Sequence, residues 1–151
     1  MVSEKMAQRL NEQINLELFS SYSYLAMAAH FKAKSLNGFA HWMLKQAEEE
    51  HGHAMRLFDY LNEQGSEVRL RSIEQPQTTF ASPSAVFQET LKHEQRVTAS
   101  INALSALAFE EKDQATRIML DWFVTEQVEE EAAVREILDR LSLLKDSPHG
   151  L

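Results

Sequence analysis

The chain contains no cysteine, which removes disulfides, zinc–thiolate sites and thiol nucleophiles from consideration and suits a reducing compartment. Chain breakers are scarce too. The 151 residues include 4 glycines and 3 prolines, too few for an all-β or loop-rich fold of this length. There is no basic run and the formal net charge is −8. Binding to nucleic acid phosphates is therefore not expected, and cations are attracted. No apolar run is long enough to cross a bilayer, and the polar opening "MVSEKMAQRLNEQ" does not read as a secretory signal. These absences point to a cytoplasmic protein with no membrane partner.

What is present is helical pattern. The length favours one domain, 1–151, with a sizeable core. Four periodic segments predict helices over about 3–33, 37–64, 83–110 and 114–144. Ser3, Ser82 followed by Pro83, and Asp113 are suited to cap three of the starts, and Gly65 to close the second helix. The first and second helices, and the third and fourth, are joined by only a few residues, so each pair is an antiparallel hairpin. Between the hairpins lies "GSEVRLRSIEQPQTTFAS", which has no helical period. Extended, it reaches roughly 60 Å, against roughly 40 Å for the second helix. It can therefore run the length of the bundle and set the third helix parallel to the second. The expected fold class is all-α, a four-helix bundle with one long crossover. Val68, Leu70, Ile73 and Phe80 are the residues expected to hold that crossover against the outside of the bundle or against another subunit.

Each helix carries an apolar stripe that steps by threes and fours, and each stripe is interrupted by polar residues near its middle. The interruptions are Glu17 in the first helix, Glu50 and His53 in the second, Glu94 in the third, and Gln127 and Glu130 in the fourth. Because all lie near mid-helix, they meet in one central layer whatever the helix directions. A bare buried carboxylate costs several kcal/mol or takes up a proton, and no stripe contains a Lys or Arg to pair with it. Protons, water or a cation remain. An oxygen-rich set with a single imidazole suits iron or manganese better than zinc. A second Glu-x-x-His, Glu48 with His51, lies on another face of the same helix. His30, His41, His51, His93 and His149 fall off the stripes. Gly52, in mid-helix, is expected to permit close approach of a neighbouring helix or subunit.

These residues resemble the non-haem ferritins, particularly the bacterial type. The likeness covers nearly the whole chain, through "NEQINLELFSSYSYLAM", "EEEHGHAMRLFDYLNEQG", "FQETLKHEQ" and "DWFVTEQVEEE". The resemblance implies a ferroxidase centre with two irons and no haem. Glu17, Glu50 and His53 would hold one iron, and Glu50, as a bridge, with Glu94 and Glu130 the second. Gln127 would line the pair. A third iron site would use Glu49, Glu126 and Glu129, sharing Glu130. Tyr24 would stand beside the centre, with Trp122 one or two turns away on the fourth helix; either could supply an electron, while both also read as core aromatics, Trp122 the more so. The resemblance further implies Fe(II) and dioxygen or hydrogen peroxide as reactants, and a shell of twenty-four subunits storing ferric mineral. With no second histidine on the fourth helix, bacterioferritins and rubrerythrin-like proteins fit less well. Ferritins usually end in a short fifth helix, and "LLKDSPHGL" is expected to end the fourth helix with none following. Two rival functions fit the bare pattern: a stand-alone di-iron oxidase or peroxide scavenger, and a helical interaction protein with a hydrated polar layer.

Overall fold

Four long helices dominate residues 1–145, which the computed structural model describes. They are α1 (Glu4–Ala33), α2 (Asn37–Glu63), α3 (Pro83–Glu110) and α4 (Gln114–Lys145). Pro148, His149 and Gly150, and with them the expectation about a fifth helix, lie outside the described residues. Three starts are specified by short oxygen-bearing side chains. Ser3 accepts from the Met6 amide at 3.0 Å and Ser82 from Ala85 at 3.1 Å, with Pro83 at the first helical position. Asp113 accepts from the Thr116 amide at 3.1 Å. Each satisfies a donor that the first turn leaves unpaired.

The first three helices all end in the same way. The amides of Leu36, Ser66 and Asp113 reach back to the carbonyls of Phe31, Leu61 and Ala108, the Schellman closure, which needs a left-handed residue just before. Gly65 fills that role at φ +72°, as expected, but Ser35 (φ 60°) and Lys112 (φ 57°) do it with a side chain present. Neither hairpin has a glycine there, so the expectation was specific to Gly65.

Helix direction follows from which ends pack together. One apolar cluster joins the start of α1 (Met6, Leu10), the end of α2 (Leu57, Leu61), the end of α3 (Ile101, Leu104) and the start of α4 (Leu120, Phe123). The other joins the opposite ends, among them Phe31, Met43, Phe87 and Leu141. Hence α1 runs with α4, and α2 runs with α3 against them. The core is two apolar blocks with a polar layer between.

The crossover is held against α1. Asn11 donates to the Glu67 carbonyl (3.1 Å) and accepts from the Arg69 amide (2.8 Å). Further along, Phe80 is buried against His30, with ring centroids 5.1 Å apart. Val68 packs on the first cluster. Leu70 and Ile73, 66% and 40% exposed, do not pack against the bundle of this chain. Asn11, a polar residue, does the holding in their place, because an unpaired crossover backbone needs hydrogen bonds more than apolar contact. Nor does Gly52 admit a close neighbouring helix of this chain, since a Cβ at that position would meet nothing within 4 Å.

Candidate metal centre

The polar layer sits where the stripes place it. Glu17, Glu50 and Glu94 are fully buried, and His53, Gln127 and Glu130 nearly so. Their donor atoms form three overlapping groups, each with all atoms within 4.8 Å of one another: Glu17, Glu50 and His53; Glu50, Glu94 and Glu130; His53, Glu126 and Glu130. Glu50 belongs to the first two groups, so it lies between two places where a cation could sit.

Glu17 and Glu94 are each clamped by a glutamine that an α3 hydroxyl holds in turn. Gln13 donates to Glu17 Oε1 at 3.1 Å, and the Ser100 hydroxyl donates to the Gln13 carbonyl oxygen. Gln127 donates to Glu94 Oε2 at 3.1 Å and lies 3.1 Å from Thr98 Oγ1. The Tyr24 hydroxyl donates to the other Glu94 oxygen at 2.5 Å. Glu50 has no such clamp. Both its oxygens, together with Glu17 Oε2 and His53 Nδ1, are buried without a hydrogen-bond partner. His53 Nδ1 stands 3.3 Å from Glu50 Oε2 and 3.8 Å from Glu17 Oε2, close enough for Coulomb attraction but too poorly aligned to satisfy either. Unmet acceptors converging in a dry layer are what a multivalent cation satisfies.

Protons take its part in the metal-free protein. Burial, then the charges of Glu17, Glu94 and Glu130, push the Glu50 carboxyl well above its ordinary range. Burial and Glu94 push Glu130 up to about 8. Burial raises Glu94 as well, opposed by the donors Tyr24 and Gln127. Burial opposes charge on Glu17 as well, yet His53, Glu50 and Gln13 outweigh it and hold its carboxyl below the usual value. His53 is raised for the complementary reason: burial would lower it, but the surrounding carboxylates prevail. Between the unfolded carboxylate value of 4.5 and about 8, the folded metal-free chain therefore binds more protons than the unfolded chain. Stability must fall as pH rises through that window. Urea unfolding of metal-free protein at about pH 5.5 and about pH 8 checks this, with a loss on the order of a few kcal/mol expected. A flat or rising profile would contradict the placement of these protons.

The seam between α2 and α4 is the open one. Backbones of α1 and α2, of α1 and α3, and of α3 and α4 approach within 8 Å, while those of α2 and α4 do not. The gap is bridged by side chains, with His53 edge-on to Trp122 (5.2 Å) and to Phe123 (6.0 Å). Glu126 lies on this seam, half-buried, its Oε2 3.7 Å from His53 Nε2.

Comparison with known proteins decides the family. A model of the ferritin-like domain matches residues 7–144. The chain belongs to the ferritin family. It is 42% identical to the bacterial non-haem ferritin of Escherichia coli O157:H7 over all of this chain and 92% of the relative. It is 41% identical to that of Bacteroides fragilis (strain YCH46) over 97% of this chain and 92% of the relative. Among solved structures, an open pore ferritin from Archaeoglobus fulgidus superposes with a TM-score of 0.97 at 43% identity, covering 99% of this chain and 93% of that one.

Set against what ferritin resemblance implies, the structure gathers Glu17, Glu50, His53, Glu94 and Glu130 into the two expected groups. It treats the remaining residues differently. Gln127 turns its amide N–H toward Glu94, so as it stands it orients a carboxylate instead of offering an oxygen to a cation. Glu126 joins His53 and Glu130, whereas Glu49 is half-buried, Glu129 is exposed, and neither falls in a group of three donors among the described residues. Trp122 packs on the centre through His53 and carries Arg56 over its ring at 3.7 Å. His93 corrects the stripe reading, because it is buried and hydrogen-bonds Ser20. Burial, then Arg96, lowers it to about 4, so it is neutral. It was missed because α3 is covered by α1, α4 and the crossover, which widens its buried arc beyond a single stripe. Gln13, Ser100 and Thr98 were also missed. Gln13 could have been found as a polar residue one turn before Glu17, on the same face.

Proposed function

We propose that the polar layer is a ferroxidase centre and that the protein stores iron. The observation that carries this reading is the pair of donor groups sharing Glu50, whose two oxygens have no other partner. Iron is the substrate. One Fe(II) is held by Glu17, Glu50 and His53, and the second by Glu50, Glu94 and Glu130. A third site nearer the α2–α4 seam uses Glu126 with Glu130, and Glu49 and Glu129 turn toward it when a cation is present. Hard anionic oxygens favour Fe(III) over Fe(II), which lowers the cost of oxidation. Each iron gives up one electron. Dioxygen takes two electrons with two protons to leave hydrogen peroxide, or peroxide takes two with two protons to leave water. Protons displaced from Glu50 and Glu130 by the incoming iron are available for that step. Gln13 and Gln127 keep the outer carboxylates in register, and Tyr24, whose own ionisation burial and the neighbouring carboxylates oppose, keeps its proton and holds Glu94.

Ferric product then leaves for storage as mineral inside a shell of twenty-four chains in the cytoplasm. The similarity to proteins named bacterial non-haem ferritin, over 97–100% of this chain and 92% of each relative, supports this part. Anaerobic Fe(II) titration followed by oxygen tests the centre. Saturation at two to three iron per chain, then rapid formation of the ferric absorbance, is expected. Absence of stoichiometric binding would sink the proposal. Sedimentation of the assembled particle, with and without added iron, tests the shell. A monomer or dimer that holds no mineral would leave a di-iron oxidase without storage.

A further inference from the structure

Both tryptophans of the chain stand one ring away from the metal centre. Trp122 meets His53 edge-on, with centroids 5.2 Å apart. Trp42 meets Tyr24 edge-on at 6.4 Å, and the Tyr24 hydroxyl donates to Glu94 at 2.5 Å. Both separations fall in the range of aromatic contact, and electron transfer between rings in contact is fast because it decays exponentially with distance.

The two differ in their surroundings. The Arg56 guanidinium lies 3.7 Å from the centre of the Trp122 ring, and a positive charge against the π face opposes loss of an electron from it. Trp42 packs among neutral rings, with Phe87 at 5.4 Å. It also lines a solvent-open groove with Leu36, Phe39, Ile137 and Leu141. Arg140 borders that groove, but its guanidinium is engaged by Glu136 at 2.7 Å. Trp42 is thus the residue that joins the buried tyrosine to the outside.

We propose that Trp42 is a redox relay, returning an electron to oxidised Tyr24 and taking one in turn from a soluble thiol at the groove. This rests on the ferroxidase reading and concerns what happens when iron runs short. Hydrogen peroxide needs two electrons, and a single bound Fe(II) supplies one. Tyr24 supplies the second. Peroxide, one Fe(II), the tyrosine and a proton give Fe(III), the tyrosyl radical and two waters. Trp42 then gives an electron to the tyrosyl radical, which regains a proton, and the indole N–H loses its own to solvent. A thiol returns a hydrogen atom to the indolyl radical and leaves as a thiyl radical. The relay moves a damaging hole from the buried centre to a place where a reductant can meet it.

The test is freeze-quench EPR on protein carrying one Fe(II) per chain, mixed with hydrogen peroxide, with indole-deuterated tryptophan incorporated. Wild type should show a short-lived tyrosyl signal followed by an indolyl signal that narrows on deuteration and decays faster with dithiothreitol. Trp42→Phe should abolish the indolyl signal and lengthen the tyrosyl lifetime several-fold. Trp42→Tyr, which restores a redox-active ring, should bring back the rapid decay, whereas a packing role would make the two variants behave alike. Tyr24→Phe should remove both signals. An unchanged tyrosyl decay in Trp42→Phe, or an indolyl signal that survives there, overturns the relay while leaving the ferroxidase reading intact. A wild type that leaves Fe(II) unoxidised overturns that reading and the relay with it.

Discussion

Glu50→Ala is expected to bring Fe(II) oxidation down to the rate in buffer, while the metal-free bundle melts no earlier than the wild type. The two effects have opposite signs because, in the proposed centre, the residue serves the cation and not the fold. Glu50 is fully buried with neither oxygen hydrogen-bonded, so the metal-free protein carries the desolvation cost of an unsatisfied polar group. Removing it relieves that cost, and alanine is the better helix former. What is lost is the one group common to both proposed iron sites. Losing an outer partner of a metal ligand typically costs about 10–100-fold in affinity or activity. Losing a shared ligand should exceed this, at least about 100-fold in the initial rate. Stopped-flow absorbance after oxygen exposure and calorimetry of the metal-free protein measure the two sides. Rapid oxidation that survives within a few-fold would place the reaction elsewhere in the molecule.

The same asymmetry explains what is legible in the sequence alone. Glu17, Glu50, His53, Glu94 and Glu130 betray themselves because each breaks an apolar period at the same depth, and period and depth are properties of the sequence alone. The crossover topology follows from loop lengths for a similar reason, since a short connection forces neighbours to be antiparallel. The clamps are a different matter. Whether Ser100 meets Gln13, or Thr98 meets Gln127, depends on the rotation of α3 about its axis to within a fraction of a turn. Amphipathic pattern does not specify rotation that finely. The path of the crossover was hidden too, because an aperiodic stretch records no direction. Asn11 pins it, and an asparagine early in a helix reads from sequence as one more solvated residue. His93 shows a third limit: a buried arc widens wherever an irregular segment covers a helix.

Rotation and depth together also account for the division of labour among the helices. Helix α3 supplies one proposed ligand, Glu94, and the hydroxyls that hold the glutamines beside both outer carboxylates. Helix α2 supplies the shared, unclamped carboxylate and the imidazole. The side on which α3 hydroxyls reach the glutamines of α1 and α4 is therefore the side that is pre-set, while the open α2–α4 seam carries His53 and Glu126. A centre that must accept cations and let them go needs one firm wall and one that yields. Rigid supports on the firm wall preserve geometry through each cycle.

Phe87→Ala should do the reverse of Glu50→Ala, costing the fold heavily while sparing the centre. Phe87 is fully buried at the middle of an aromatic block, with ring centroids 6.0 Å from Phe31, 5.5 Å from Phe39 and 5.4 Å from Trp42. Three rigid rings cannot collapse into the space it leaves, so the transfer loss and the cavity term add. Such truncations cost about 3–5 kcal/mol, a large share of the roughly 5–15 kcal/mol that holds a domain of this kind together. Phe87 lies two turns before Glu94 on the same face of α3, about 10 Å along the axis, and its ring partners Phe31, Phe39 and Trp42 are none of the proposed ligands. The folded fraction should therefore bind Fe(II) with unchanged stoichiometry. Urea unfolding checks the first statement and anaerobic titration under native conditions the second. Leu143→Ala, at a side chain 77% exposed, is the control and should stay within about 0.5 kcal/mol. A cost below about 1 kcal/mol for Phe87→Ala would mean the rings close the gap after all. A lost iron site in protein that remains folded would mean that the apolar block, and not the helix frame alone, sets the depth at which Glu94 meets Glu50.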